Sequence, residues 1–245
     1  IAEDHPVNQL FLLKLLKKYG FNNIDVADDG MQALDIFSRN QYDIIFMDCQ
    51  MPKKDGFEVT KAIRIAENNN KDATHVKIIA MTAYAMSGDL DLCIKCGMDD
   101  YISKPIDIEK LKGILSANFV IKDSSKNIRT ATVDNAPVID FGQLKIVAET
   151  VAEQREVLDL FCRLAEQKIK VMSMSRRSHE GKSWKEAAHY LKGSAANLGM
   201  NLLAEKCRQA ELAENYTYDE ATEMLEEIKA EMKQVKDFAA KAQIL

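Results

Sequence analysis

The chain has 245 residues, 47% of them hydrophobic and 29% charged, with four Pro, ten Gly and a net charge of −5. This is globular composition, long enough for two ordinary domains and unlike a collagen or a disordered chain. It has no run of about 18 apolar residues, and its start, Ile1-Ala2-Glu3-Asp4, lacks the basic-then-apolar order of a secretory signal, so no membrane contact by this segment is expected.

Five Cys, at 49, 93, 96, 162 and 207, are scattered and odd in number. Free thiols and a cytoplasmic, reducing compartment follow as expectations, whether or not a membrane anchors the parent chain. Residues 1–119 hold 14 basic and 18 acidic side chains, and 120–245 hold 19 and 20. Neither half is the polycation that displaces counterions from duplex phosphates, so no nucleic-acid partner is expected.

In chain order, the first predicted strand is short: Ile1 and Ala2 alone precede the acidic pair, where a strand takes about five residues. The N-terminal edge reads as cut, which predicts a longer parent chain or further residues upstream. Apolar runs at 24–27, 42–47, 76–82 and 101–103 then alternate with helical stretches near 6–19, 30–39, 57–69, 87–96 and 107–117. Such alternation over 1–118 predicts an α/β doubly wound parallel sheet of five strands. Residues 119–137 are polar and without period, as a linker reads. From 138 to 245 helical periodicity returns, broken at Gly181, Gly199 and 215–219. It predicts an all-α four-helix bundle with main helices at 153–178, 182–198, 200–214 and 218–242, and a short one near 140–149.

Ligands of a doubly wound sheet bind at the C-terminal ends of its strands. That rule gathers Glu3 and Asp4 from the first strand, Asp48 from the third, Thr82 from the fourth and Lys104 from the fifth. Three crowded carboxylates repel unless a cation sits among them, and hard oxygen donors suit Mg²⁺. With that charge neutralised, Asp48 can act as a nucleophile on a phosphoryl group while Thr82 and Lys104 meet its equatorial oxygens, giving an acyl phosphate.

Glu3-Asp4, Met47-Asp48-Cys49-Gln50-Met51-Pro52 with Asp55-Gly56, Met81-Thr82-Ala83 and Gly97-Met98-Asp99-Asp100-Tyr101-Ile102-Ser103-Lys104-Pro105 together resemble a response-regulator receiver domain, over nearly all of 1–118. The resemblance implies a flavodoxin-like strand order 2-1-3-4-5 and Asp48 as the phosphoacceptor. It implies Mg²⁺ held by Asp4, Asp48 and the Gln50 carbonyl, with Glu3 acting mainly through metal-bound water, and Thr82 with Tyr101 as a switch pair. Lys54 departs from the Met that receivers of hybrid kinases often carry, which leaves the chemistry intact and bears on a partner-facing loop.

In the C-terminal half, Trp184, Ala188, Leu191, Ala195 and Leu198 recur at steps of four, three, four and three, one buried helical stripe. At about 100° per residue His189 lies roughly 140° from its centre and is expected to face water. Gly193 follows one turn on, a position that costs about 1 kcal/mol against Ala and so suits close approach by another backbone. Lys182, Lys185 and Lys192 flank the ring and would stabilise a phosphoryl dianion on it. An ordinary imidazole titrates near about 6.5 and is largely neutral, hence nucleophilic, at pH 7. Ala188-His189-Tyr190-Leu191-Lys192-Gly193-Ser194-Ala195-Ala196-Asn197-Leu198-Gly199 resembles the signature of the histidine-containing phosphotransfer (HPt) domain. By that resemblance His189 carries the phosphoryl group, Lys192 assists and Gly193 opens space.

His5, His75 and His179 have no comparable setting and are given no catalytic role. The Cys93/Cys96 pair lacks the further ligands that zinc requires and reads as two helix-face thiols. No Gly-rich nucleotide loop or ATP lid is present, so direct use of ATP is not expected. Together the motifs imply phosphorelay signalling. Asp48 accepts a phosphoryl group from a kinase histidine and His189 passes it to or from a response-regulator aspartate. The implied partners are a histidine kinase core in the same parent hybrid kinase and a downstream response regulator. A binding module acting through surface contacts is the alternative.

Overall fold

A computed structural model describes residues 1–69, 74–82, 87–121, 138–176 and 181–244. The chain divides into two compact units, Ile1–Asp123 and Ser124–Leu245. Most of the expected linker, 122–137, and His179 lie outside the described residues.

The first unit carries three parallel strands, β1 (Ile44–Asp48), β2 (Lys77–Thr82) and β3 (Asp100–Ser103), in that order across the sheet. Its helices are α1 (Pro6–Lys18), α2 (Gly30–Arg39), α3 (Gly56–Asn69), α4 (Ser87–Cys96) and α5 (Ile108–Asn118). The apolar runs in the strands are buried on both faces, as a parallel sheet between helices demands. Among the described residues, the five strands of the sequence reading reduce to a sheet of three. The two remaining segments join as isolated parallel bridges, Ala2 with Ala27 and Ala2 with Met47. The physical reason is that one residue is shared between two partners: the polar groups of Ala2 both serve β1, and only the Ile1 carbonyl and the Glu3 N–H serve Ala27. The Ala2 N–H donates to the Phe46 carbonyl at 2.8 Å and its carbonyl accepts from Asp48 N at 2.9 Å, while Glu3 N reaches the Ala27 carbonyl at 3.1 Å.

Helix starts follow local chemistry. Pro6 opens α1, Asp29 caps α2 by accepting from Gln32 N, and Asp107 caps α5 by accepting from Lys110 N. Gly56 is fixed by proximity: a Cβ there would stand 2.2 Å from the Asp48 carbonyl oxygen.

The second unit is helical: α6 (Phe141–Val147), α7 (Val151–Ser175), α8 (Lys182–Asn197), α9 (Asn201–Leu212) and α10 (Tyr218–Lys241). Reciprocal capping boxes start the two longest, Thr150 with Glu153 and Thr217 with Glu220. Gly199, at φ +76°, turns the chain between α8 and α9. The predicted stripe from Trp184 to Leu198 is buried throughout, and the Trp184 indole N–H donates to the Ala210 carbonyl at 2.8 Å. Packing pairs α7 with α8, α8 with α9, α9 with α10 and α10 with α7.

Two glycines predict opposite signs. Gly56→Ala forces a methyl into backbone and is expected to destabilise the first unit by about 1–3 kcal/mol. Gly113, exposed in α5 with nothing within 4 Å of an added Cβ, is expected to gain up to about 1 kcal/mol as Ala. Urea unfolding of both variants checks the pair.

Candidate functional site

The strand ends of the first unit bring the predicted acids and lysine together. Glu3 follows the Ala2 bridges, Asp48 ends β1 and Lys104 follows β3, just before a cis peptide bond to Pro105. Lys104 Nζ stands 2.7 Å from Glu3 Oε2 and 2.6 Å from Asp48 Oδ2, with all three side chains buried. Its own backbone N–H donates to the carbonyl of Thr82, itself buried at the end of β2, at 2.7 Å. Asp48 Oδ1 accepts from Gln50 N at 3.1 Å. Tyr101 lies half-buried on β3, and Lys110 Nζ sits 3.1 Å from the centre of its ring.

Sequence reasoning passed over His5. The ring is buried and Nδ1 lies 2.6 Å from Asp4 Oδ1 and 3.0 Å from Glu3 Oε1. Candidate donor atoms of Glu3, Asp4, His5 and Asp48 all lie within 4.8 Å of one another. Local sequence offered a signal, adjacency to the acidic pair, but one-dimensional spacing does not say which way an N-cap side chain turns.

Burial and the nearby Glu3 carboxylate push Asp48 up to about 7, against the opposing pull of Lys104. Burial also disfavours ionised Glu3, but Lys104 and His5 outweigh it and hold this acid down at about 2. Burial likewise opposes the charge on His5, yet Asp4 and Glu3 raise it to about 9. Lys104 is held above its ordinary value because its two carboxylates outweigh its desolvation. Three acids thus compete for few cations, and Asp48 is the one left partly protonated near neutrality. The donor set suits a divalent ion: carboxylate oxygens of Glu3, Asp4 and Asp48 gather within 4.8 Å of one another, with Lys104 and His5 as their ion-pair partners.

Next to Asp48, Cys49 is buried with Sγ 4.0 Å from Cys93 Sγ, and burial pushes its thiol well above the usual range. All five cysteines are buried, and none is in a disulfide.

In the second unit His189 is less open than the helical projection predicts: its side chain is 21% exposed, because α9 packs beside it. Nδ1 lies 2.6 Å from Glu211 Oε1 on α9, and Lys192 Nζ lies 2.7 Å from Glu211 Oε2. Glu211, buried between the His189 ring and the Lys192 ammonium, was not singled out from the sequence. Burial alone would raise it, but the contacts with His189 and Lys192 bring it down to about 2. The other lysines pair elsewhere, Lys185 with Glu214 at 3.8 Å and Lys182 with Glu186 at 3.9 Å. His75 lies apart, between Asp99 and Glu67.

Among known families, residues 1–116 match the response regulator receiver domain and 156–238 match the Hpt domain. The chain is 41% identical over 139 residues to hybrid signal transduction histidine kinase I of Dictyostelium discoideum, covering 55% of this chain and 8% of that protein. It is 38% identical over 128 residues to histidine kinase 3 of Arabidopsis thaliana, covering 45% of this chain and 12% of that one. It therefore spans a small part of either relative. Among solved structures, the receiver domain of sensor histidine kinase PA1611 from Pseudomonas aeruginosa, crystallised with a magnesium ion in its active-site cleft, is 38% identical. It covers 48% of this chain and 92% of that one, with a TM-score of 0.42. No helix among the described residues is long and apolar enough to cross a membrane.

The depressed Glu211 has a consequence for stability. A carboxyl lowered on folding stabilises the folded state fully above its unfolded value, near 4.5, and loses that contribution as pH falls towards about 2. Glu211→Gln is therefore expected to cost stability at pH 7 and to flatten the acid loss of the second unit below pH 4.5, read as urea midpoints across pH 2–7.

Proposed function

The chain is a response regulator receiver domain followed by an Hpt domain, and on that premise we propose that it carries two consecutive stations of a phosphorelay, Asp48 and His189. We read the receiver as 1–118, a linker as 119–137 and the Hpt domain as 138–245. The bridges of Ala2 support five strand positions, and the ring of contacts among α7, α8, α9 and α10 supports a four-helix bundle.

In this reading an Asp48 carboxylate oxygen forms a P–O bond as the P–N bond of a kinase phosphohistidine breaks. Asp4, Asp48 and the Gln50 carbonyl, with Glu3 nearby, would hold a Mg²⁺ ion, whose charge would keep Asp48 ionised and offset the phosphoryl oxygens. Lys104 turns from the free carboxylate to an equatorial oxygen, and the Thr82 hydroxyl meets another. Thr82 and Tyr101 then form the switch pair.

Onward transfer uses the second site. Glu211 takes the Nδ1–H of His189 and so leaves Nε2 as the attacking atom. The new P–N bond forms as the P–O bond to Asp48 breaks, the carboxylate leaves, and the ring charge is balanced by Glu211. Lys192 holds Glu211 in place and flanks the phosphoryl group. A linker of about 19 residues raises the effective concentration of the two sites without fixing their orientation. The partners are a histidine kinase core, read as part of the same parent hybrid kinase, and a downstream response regulator.

The observation that carries the reading is the buried Glu3–Lys104–Asp48 cluster, a nucleophile left short of positive charge. Incubated with Mg²⁺ and acetyl phosphate or a phosphorylated kinase core, the protein is expected to gain base-labile label at Asp48 and acid-labile label at His189. Asp48→Asn should remove label donated by the kinase. His189→Gln should keep the Asp48 label and stop delivery to a second receiver. Label at neither residue would instead support a module acting through surface contacts alone.

A further inference from the structure

Cys49 directly follows β1, and α4 carries Cys93 to meet it: the two Sγ atoms stand 4.0 Å apart although 44 residues separate them in the chain. Both are buried in the apolar cluster that holds Met51, Val59, Ala80 and Met98. The backbone of Cys49 is pinned on both sides. Its N–H donates to the Met81 carbonyl at 3.1 Å and its carbonyl accepts from Gly56 N at 3.1 Å. Cys96 turns instead to its own helix and donates to the Cys93 carbonyl at 3.0 Å. Cys162 and Cys207 belong to the second unit.

The sulfurs of a disulfide lie about 2.05 Å apart, so this pair closes by roughly 1 Å from each side, the scale of a side-chain rotation with a slight settling of α4. Burial opposes charge, and a disulfide carries none, so the product suits its apolar surroundings as well as the two thiols do. The same surroundings keep out the thiolate of a reductant, so a bond that forms slowly is also reduced slowly. We propose that Cys49 and Cys93 are a redox modification site, closed to a disulfide by a small uncharged peroxide. One thiol takes an oxygen from hydrogen peroxide, giving a sulfenic acid and water. The other sulfur then attacks it: the S–S bond forms, the S–O bond breaks, and the departing hydroxide leaves as water with the second thiol's proton. Two thiols are oxidised and one peroxide is reduced to two waters. The bond ties α4 to the residue after Asp48 and closes a loop of 44 residues, which restricts the unfolded chain and stabilises the first unit. None of this depends on whether Asp48 carries a phosphoryl group. Core packing alone predicts that both thiols stay reduced while the fold is intact.

The test exposes the whole chain, folded and dilute, to hydrogen peroxide, then unfolds it in N-ethylmaleimide and digests it without reductant. A peptide pair joined through Cys49 and Cys93 within one chain is expected, with two of the five thiols lost and then recovered in dithiothreitol. Cys93→Ala should abolish the link, and Cys96→Ala should leave it. The treated protein should show a higher urea midpoint than the same sample after dithiothreitol. Methionine oxidation does not enter that comparison, because sulfoxides await their own reductases. Full alkylation of Cys49 and Cys93 after peroxide overturns the proposal, as do links from Cys93 to Cys96 or between chains only. A midpoint that falls while the bond is present overturns it too, since the pair would then be forced together rather than poised.

Discussion

The first unit is organised around one ammonium group shared by two buried carboxylates. Lys104 lies within 2.7 Å of both Glu3 and Asp48, which joins the residues after β3 to the ends of two neighbouring sheet positions. Buried ions repay their desolvation only when closely paired, so the three must keep their places together. The residue count leaves the pairing incomplete: three acids, Glu3, Asp4 and Asp48, share two cationic partners, Lys104 and His5. Glu3 takes the greater share, and Asp48 is left with a carboxyl pushed up to about 7. A cation binding there would thus be coupled directly to the ionisation of Asp48.

The second unit solves the converse problem. One buried acid, Glu211, lies between two basic groups, His189 and Lys192. Its two oxygens hold them separately, so the ring and the lysine are oriented by a common anchor on the neighbouring helix. A surplus of acid at one site and a paired acid at the other are what the proposed aspartyl and histidyl carriers would require. The former must tolerate a dianion on a carboxylate; the latter must present one nitrogen of a neutral ring.

Much of this was legible in the sequence because it rests on periodicity and on the strand-end rule. The helices fall within a few residues of their predicted spans, and Glu3, Asp48, Thr82 and Lys104 emerge at the same sheet edge. The failures have physical causes. Two predicted strands shrink to bridges because ladder length depends on how many residues face a partner, not on β-branched composition. His189 is half-buried because a single-helix projection does not include the neighbour. Glu211 was hidden for the same reason, although the helical hairpin encodes it: His189 and Glu211 lie symmetrically, eleven residues either side of Met200. In an antiparallel pair turning at that point, equidistant positions face each other. His5 escaped because backbone pattern fixes its place but not its rotamer.

The sulfur beside Asp48 bears on which atom wins an electrophile. A thiolate at Cys49 would be a softer and more aggressive rival to the adjacent oxygen, since nucleophilicity in cysteine belongs to the anion. Packing against Cys93 in an apolar surround keeps the proton on that sulfur. With Asp48 as the proposed acceptor, its oxygen is spared a rival by the hydrocarbon walls behind it as much as by the polar groups in front.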